Sequence, residues 1–262
     1  MKLEVIQHDP KGTSKAVPLL FVHGAWHGAW CWDEYFLPYF AEHGYQCVAL
    51  SLRGHGKSDG HWRWAGTSGY VDDVAQVVQQ FDQPPILIGH SMGGYVVQKY
   101  LEKHSASGAV LMASIPTSGI LPFILKLTFK RPLAMLRYLV TLNGHFWHEP
   151  KHVRDAFFSK SLSDDALQRY FDNMQGESIR IAFETMGLNL PKPKRVSKEI
   201  PMLVVSATHD AVFTINEQQK TAKAYGTEAH FFEMAHDMML EPNWKEVADM
   251  MLGWLDSQVS TT

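Results

Sequence analysis

The peptide Gly89-His90-Ser91-Met92-Gly93 places a serine between glycines, as a nucleophile at a sharp turn requires. It follows the apolar residues 85–88 and precedes a helix-like stretch that begins at Gly94, which predicts a strand, a turn and a helix. Such a turn strains the serine backbone and lifts its hydroxyl clear of the sheet, and only small neighbours tolerate it. The Met92 N–H then lies at a helix start, where free donors favour a developing negative charge. The segment predicts Ser91 as a nucleophile and Met92 as one donor of an oxyanion hole.

A serine hydroxyl needs a base within hydrogen-bond reach and an acid that orients the base. Among fourteen histidines, His236 follows the last predicted strand, where a loop can return to the sheet edge beside Ser91. Asp210 follows another predicted strand, residues 202–205, at the same edge. Asp237 is the rival acid, but a residue adjacent to His236 is poorly placed to reach its ring. The chain order Ser91, Asp210, His236 is the one expected when a G-x-S-x-G turn lies at the C-terminal edge of such a sheet.

The second oxyanion donor is expected from the loop after an early strand. The peptide His23-Gly24-Ala25-Trp26 follows the apolar run Leu19–Val22. Gly24 permits a turn there, and the Ala25 N–H can point towards Met92. A helix-initiating turn is the other interpretation of this segment, and the two interpretations are compatible.

Short apolar runs without polar alternation recur along the chain, as expected of strands buried on both faces of a parallel sheet. They are residues 19–22, 47–50, 86–88, 109–112 and 202–205, with a last strand over residues 230–234. Helical patterns, such as residues 30–43 and 68–81, lie between most of them. This alternation predicts an α/β fold, in which helices flank a mostly parallel sheet.

The alternation of strand and helix patterns stops between residues 114 and 200. This segment, called the insertion below, is mostly helical in pattern and too long for an ordinary connection, so it predicts a helical cap over the sheet edge. Its last part, around Pro191 and Pro193, is expected to return to the core as a strand-like segment. The core then comprises residues 1–113 and 201–262. Residues 126–160 carry seven basic and two acidic side chains, which suit either a solvated face or attraction to an anionic substrate or membrane surface.

Composition excludes several classes of protein. A formal net charge of -3 and the lack of a basic tract argue against a nucleic-acid partner. The longest apolar region, residues 108–127, is interrupted by polar residues and prolines, so no membrane-spanning helix is expected. The chain opens without a signal-peptide pattern, which predicts a cytoplasmic protein. Cys31 and Cys47 exclude a disulfide-built scaffold, although counting alone leaves one bridge open.

Together these motifs resemble the serine α/β-hydrolase family over essentially the full length of the chain. The resemblance rests on His23-Gly24, on the segment Arg53-Gly54-His55-Gly56-Lys57-Ser58, on the serine pentapeptide, and on Asp210 and His236. In such enzymes the segment that resembles residues 53–58 is mainly a structural loop. The implied fold is the α/β-hydrolase fold with a cap insertion.

The resemblance implies acyl transfer. Ser91 would attack a carbonyl while His236 takes its proton and Asp210 stabilises the imidazolium. The N–H groups of Ala25 and Met92 would hold the oxyanion, and water would then release the acid. This chemistry requires neither a metal nor an organic cofactor. An ester is favoured over an amide because its leaving group departs more readily.

The loop His23-Gly24-Ala25-Trp26-His27-Gly28-Ala29-Trp30 is similar to that of plant methyl esterases and hydroxynitrile lyases. Lyases of that group typically have Thr where this chain has Gly24, and Lys where it has Asp237, so the lyase reaction is not expected. Dehalogenases and epoxide hydrolases of this fold use a carboxylate nucleophile, whereas Ser91 stands here. A lipase, a C–C bond hydrolase and a small-molecule sensor with slow turnover stay open as alternatives.

Aromatic residues suggest the nature of the substrate. Trp26 lies next to the oxyanion loop, and Phe123, Phe129, Phe146 and Trp147 lie in the insertion. They are expected either to bind a small apolar or aromatic ester or to pack the core of the cap. The oligomeric state is left open.

Overall fold

A seven-stranded sheet forms the centre of the protein. The computed structural model describes residues 1–141 and 147–259. The strands are β1 (Val5–His8), β2 (Leu19–Val22), β3 (Cys47–Leu50), β4 (Ile86–His90), β5 (Gly108–Met112), β6 (Met202–Ala207) and β7 (Ala229–Phe232). Their order across the sheet is β1-β3-β2-β4-β5-β6-β7, and only β1 runs antiparallel to its neighbour. The predicted α/β fold is confirmed.

Burial explains why the sequence predicts the central strands but not β1. Every residue of β2, β3, β4, β5 and β6 is buried, since helices cover both faces of a parallel sheet. The edge strand β1 carries Gln7 and His8 and is only partly buried, so it lacks a continuous apolar run. Both cysteines are free and buried in the core.

Eleven α-helices are defined in the described residues. They are α1 (Trp30–Asp33), α2 (Phe36–Glu42), α3 (Thr67–Val78), α4 (Met92–Leu101), α5 (Leu121–Lys130), α6 (Pro132–Thr141), α7 (Pro150–Phe157), α8 (Asp164–Asn173), α9 (Ile179–Phe183), α10 (Ile215–Ala224) and α11 (Trp244–Val259). The single helix expected over residues 30–43 is wrong, because Tyr35 leaves helical geometry with φ -140°. A second helix, α2, begins at Phe36, so Pro38 lies in its first turn, where the missing N–H of proline is tolerated.

The insertion carries α5 to α9 and a π-helical turn, Glu184–Leu188. The helix α5 was not predicted, since Pro122 and Lys126 interrupt its apolar pattern. Pro122 lies in the first turn of α5, where proline is accommodated, and therefore does not break the helix. The strand-like return is also wrong: the segment forms a 3₁₀ turn, Pro193–Arg195, and a proline cannot donate to a sheet ladder.

The parallel strands bring three loops to one edge of the sheet. Ser91 follows β4, Asp210 follows β6 by three residues, and His236 follows β7 by four. The carboxyl ends of parallel strands meet at the same edge, which is where open α/β sheets bind ligands. Within the residues that the structure describes, no helix has the length and apolar character needed to cross a bilayer.

Candidate active site

The turn at Ser91 is built around glycine. Ser91 has φ 50° and ψ -114°, a strained conformation for a residue with a side chain. A Cβ atom on Gly89 would lie 2.6 Å from the Gly93 carbonyl oxygen, and one on Gly93 would lie 2.2 Å from the Val22 carbonyl oxygen. The glycines therefore allow β4, α4 and the end of β2 to meet closely around the serine.

Three side chains form a hydrogen-bonded chain at this edge. The Ser91 hydroxyl lies 3.0 Å from His236 Nε2, and His236 Nδ1 lies 2.8 Å from Asp210 Oδ2. The carboxylate accepts only, so Nδ1 carries the proton and Nε2 is left to accept from the serine. Asp210 Oδ1 also accepts from the backbone N–H groups of Val212 and Phe213. The structure thus brings together the nucleophile, base and acid expected from sequence.

The surroundings of His236 favour its protonated form. Burial lowers the pKa of this ring, but the carboxylates of Asp210 and Asp237 outweigh burial, and the net effect is a raised pKa. The ring also packs between Phe157 of α7 and Phe213, with centroid separations of 5.7 Å and 5.5 Å. An imidazolium that forms when the base takes a proton is therefore stabilised and held in orientation.

The loop after β2 packs directly against the serine turn. A Cβ atom on Gly24 would lie 2.7 Å from His90 Nδ1 and 3.2 Å from Ser91 Cβ, so this position admits no larger residue without movement of its neighbours. Trp26 then adopts φ 67°, which turns the chain sharply. Ala25 and Met92, the predicted oxyanion donors, both line one cavity beside the serine turn.

A buried ion pair lies beneath this loop and was missed from sequence. His27 Nε2 lies 3.2 Å from Asp237 Oδ2, and both side chains are almost fully buried. His27 Nδ1 also donates to the Ala25 carbonyl over 2.8 Å. A charge on His27 that pairs with Asp237 requires both ring nitrogens to be protonated. Asp237, the rival acid, therefore faces His27. Its neighbour in sequence, His236, pairs with Asp210 instead.

The electrostatics of the His27–Asp237 pair agree with this charged state. Burial lowers the pKa of His27, but Asp237 outweighs it and the pKa is raised. Burial acts to raise the pKa of Asp237, yet His27 brings it below its ordinary value. A sequence signal for the pair was available only in part, as a histidine two residues beyond Ala25 and an aspartate beside His236.

His90 completes a cluster of titratable groups behind His236. Its Nε2 donates to the His236 carbonyl over 3.1 Å, and burial together with His236 lowers its pKa to about 3. His90, His236 and Asp237 offer ligating atoms within 4.8 Å of one another, the geometry of a candidate metal site. Both ring nitrogens of His236 are already engaged by Ser91 and Asp210, however, and Asp237 is paired with His27, so His236 has no free nitrogen to offer a metal ion.

A largely apolar cavity of about 110 Å³ leads from Ala25 and Met92 into the insertion. Trp26 and Phe123 line it, and Trp26 also packs against Phe157, so a role of these two side chains in substrate binding stays a prediction. Trp147 instead packs edge-on against Trp26, 5.6 Å between centroids, which is cap packing. Phe129 is 85% exposed and fits neither expectation, because α5 turns it to solvent. Phe146 lies outside the described residues.

The insertion is anchored to the active-site loops by backbone contacts. The Asp237 N–H donates to the Phe157 carbonyl over 3.0 Å, and the Gln175 N–H donates to the Trp26 carbonyl over 2.8 Å. The buried Glu177 accepts from the Tyr70 hydroxyl and lies 3.2 Å from His55 Nε2, in the segment of residues 53–58. The structural role expected of that segment therefore extends to holding the insertion.

Comparison with known proteins places these features in a family. A model of the "Alpha/beta hydrolase family" matches residues 19–250. A non-heme chloroperoxidase of Streptomyces lividans is 35% identical over 40% of this chain and 39% of its own length. A bifunctional esterase/perhydrolase of Acinetobacter calcoaceticus is 35% identical over 38% of this chain and 37% of its own length. The matched part of the chain thus spans well under half of each of these two relatives.

Solved structures show the same fold. The crystal structure of a monoacylglycerol lipase of Paleococcus ferrophilus superposes with a TM-score of 0.75 at 20% identity, covering 98% of this chain and all of the lipase chain. At this identity the likeness concerns the fold alone. With the family match over most of its length and the serine turn described above, this chain belongs to the alpha/beta hydrolase family.

Proposed function

We propose that the protein is a serine hydrolase that cleaves carboxylic esters through an acyl-enzyme intermediate. The observation that carries the proposal is the hydrogen-bonded chain from Ser91 through His236 to the buried Asp210 carboxylate. The family adds support, since an esterase/perhydrolase is among the relatives.

The mechanism follows from this geometry. Ser91 Oγ attacks the ester carbonyl while His236 Nε2 takes the hydroxyl proton, and the Asp210 carboxylate stabilises the imidazolium. The N–H groups of Ala25 and Met92 hold the carbonyl oxygen as it becomes negative. His236 returns the proton to the alcohol as the ester C–O bond breaks. A water activated by His236 then hydrolyses the acyl-serine and frees the acid.

The cavity supports an apolar substrate. It opens beside both proposed oxyanion donors, and its walls are mostly aliphatic and aromatic side chains of the insertion. The Glu177 carboxylate also borders the cavity. It already accepts hydrogen bonds from the Tyr70 hydroxyl and the Ser178 N–H, and it pairs with His55. We therefore propose a small neutral ester with an apolar or aromatic group as the substrate.

Two features argue for hydrolysis over hydroxynitrile lyase chemistry. A threonine in place of Gly24 would bring its Cβ within 2.7 Å of His90 Nδ1, so the lyase-like residue does not fit without rearrangement. Asp237, where lyases of the plant group have lysine, is a buried anion paired with His27. No cation is therefore supplied at that position for a departing cyanide.

A second candidate is perhydrolysis, in which hydrogen peroxide attacks the same acyl-serine and yields a peracid. The relative described as a bifunctional esterase/perhydrolase favours it. The two reactions share every step up to the acyl-enzyme, so they are separated by supplying peroxide during turnover and measuring the peracid.

A panel of p-nitrophenyl esters of increasing acyl length, together with methyl esters of aromatic acids, tests the proposal. We expect steady hydrolysis by the wild type and a loss of about 10⁵-fold or more in Ser91→Ala. Ser161→Ala, at an exposed serine of the insertion, is the matched control and should keep the wild-type rate. Undiminished turnover in Ser91→Ala would refute the proposal. A slow single turnover in the wild type would favour the sensor, and inert esters would favour C–C hydrolysis.

A further inference from the structure

The two helices α5 and α6 expose an extended apolar surface. Seven of the twelve exposed large hydrophobic side chains among the described residues lie between positions 121 and 140. They are Leu121 (45% exposed), Leu125 (51%), Phe129 (85%), Leu133 (81%), Leu136 (58%), Leu139 (46%) and Val140 (73%). Single exposed apolar residues are ordinary, but seven on two short helices that pack against each other exceed such scatter, and exposed apolar patches mark interaction sites. These seven residues are called the apolar face below.

The apolar face is not a by-product of packing. In α5, Phe123, Ile124 and Leu127 point inward and line the substrate cavity, while Leu121, Leu125 and Phe129 recur every fourth residue on another side. The inward side chains already supply the apolar stripe that docks a helix onto its core. The outward apolar residues therefore contribute to something other than the fold described here.

The apolar face is continuous with the rim of the cavity. Leu139 of α6 and Phe183 of α9 line the cavity and are also 46% and 47% exposed, so they lie where the cavity meets solvent. A partner on the apolar face would therefore also cover the entrance for an apolar substrate.

The charge of the two helices indicates what kind of partner would bind the apolar face. Residues 121–141 contain four basic side chains, Lys126, Lys130, Arg131 and Arg137, and no acidic one. Lys126 and Lys130 lie next to Leu125 and Phe129 in sequence, and Arg137 follows Leu136, so cations border the apolar residues along both helices. Some of these cations also bind the protein itself: Lys126 Nζ donates to the Ala211 carbonyl, and Arg131 pairs with Asp155. Apolar residues flanked by basic ones are the pattern of helices that lie in the interface of an anionic bilayer.

We propose that α5 and α6 dock the protein onto an anionic lipid surface, with the apolar face among the acyl chains and the basic side chains at the headgroups. Within the described residues neither helix is long enough to cross a bilayer, so the proposed contact is peripheral. Docking rests on the exposed face and its charge. Entry of substrate from the lipid into the cavity additionally rests on the proposed function.

Vesicle flotation tests the docking without any need for hydrolysis. The Ser91→Ala protein is mixed with phosphatidylcholine vesicles, or with vesicles that also contain phosphatidylglycerol, at low and high salt. We expect binding that is stronger with phosphatidylglycerol and weaker at high salt. Absence of binding to both vesicles, or equal binding to both, would overturn the proposal.

A charge-matched pair of variants locates the surface. Leu133→Glu/Val140→Glu places two anions on the apolar face and should lower the bound fraction about tenfold or more. Leu188→Glu/Ile215→Glu adds the same charges at exposed apolar positions outside the two helices and should bind as the parent does. Unchanged thermal unfolding in both variants shows that each is folded. Equal loss in the two variants, or none in the first, would overturn the assignment.

The same variants separate a lipid from a second copy of the chain. Light scattering after size exclusion, without vesicles, should give the same mass for the parent and for Leu133→Glu/Val140→Glu. A parent dimer that this variant converts to a monomer would identify the apolar face as a protein interface and overturn the lipid proposal.

Discussion

The sheet edge and the insertion meet at the candidate active site but are built differently. At the sheet edge, hydrogen bonds and a strained backbone position the polar side chains of Ser91, His236 and Asp210. The insertion meets this edge through apolar packing, such as Phe157 on the His236 ring, together with backbone hydrogen bonds and the buried Glu177. Under the proposed function, the edge would determine the reaction, whereas the insertion would select the substrate.

Removal of the base should give the largest effect at the sheet edge. We expect His236→Ala to lower the turnover of a p-nitrophenyl ester by about 10⁵- to 10⁶-fold, because the serine loses its proton acceptor. His209→Ala, at an exposed histidine near the same edge, should leave the rate unchanged. Near-normal turnover in His236→Ala would show that another group acts as the base.

Replacement of the orienting acid tests which aspartate serves His236. Asp210→Asn should lower kcat by about 10⁴-fold, because the amide favours the wrong tautomer of the ring. Asp237→Asn leaves the His236–Asp210 hydrogen bond intact and should cost far less in kcat. Similar losses in the two variants would contradict the assignment of Asp210 as the orienting acid.

The buried pair beneath the oxyanion loop should matter for stability. Asp237→Asn leaves His27 without its counterion, and we expect the free energy of unfolding to fall by about 3 kcal/mol. Asp164→Asn removes an exposed partner of Arg154 and should change it by less than about 1 kcal/mol. Denaturant unfolding measures both variants. Equal stability of Asp237→Asn and wild type would show that the pair carries no net charge interaction.

A change in the insertion should alter selectivity and leave the chemistry intact. Ala182 of α9 lines the cavity, and Ala182→Phe would fill part of it. We expect kcat/KM for a long-chain p-nitrophenyl ester to fall about 10- to 100-fold relative to the acetate. Ala224→Phe, at an exposed position of α10, should leave the ratio unchanged. A parallel loss for all chain lengths would mean that the insertion shapes the catalytic groups themselves.

The pH dependence should show the smallest effect. The base acts only when neutral, so kcat/KM should rise with pH as His236 loses its proton. Because nearby carboxylates raise the pKa of His236, the midpoint should lie above the ordinary value of 6.5. Asp210→Asn removes one of these charges and should move the midpoint to lower pH. A wild-type midpoint below 6.5 would contradict this electrostatic environment.

Sequence predicted the sheet edge better than the insertion for physical reasons. Buried parallel strands give continuous apolar runs, and the strained turn at Ser91 demands glycine, so both leave clear signals. The His27–Asp237 pair joins residues far apart in the chain, and the positions of the two residues in sequence gave only a partial signal for it. In the insertion, α5 was not predicted because Pro122 and Lys126 interrupt an apolar pattern that already lies on two sides of the helix, the cavity side and the exposed side.

The acyl-enzyme is the most direct test of the proposed chemistry. Rapid mixing with p-nitrophenyl butyrate, followed by acid quench and peptide mass spectrometry, measures both the released p-nitrophenol and any modified residue. We expect a butyryl group on Ser91 in wild type and none at this position in Ser91→Ala. Steady ester hydrolysis without acylation of Ser91, or acylation of another residue at the turnover rate, would contradict the proposal.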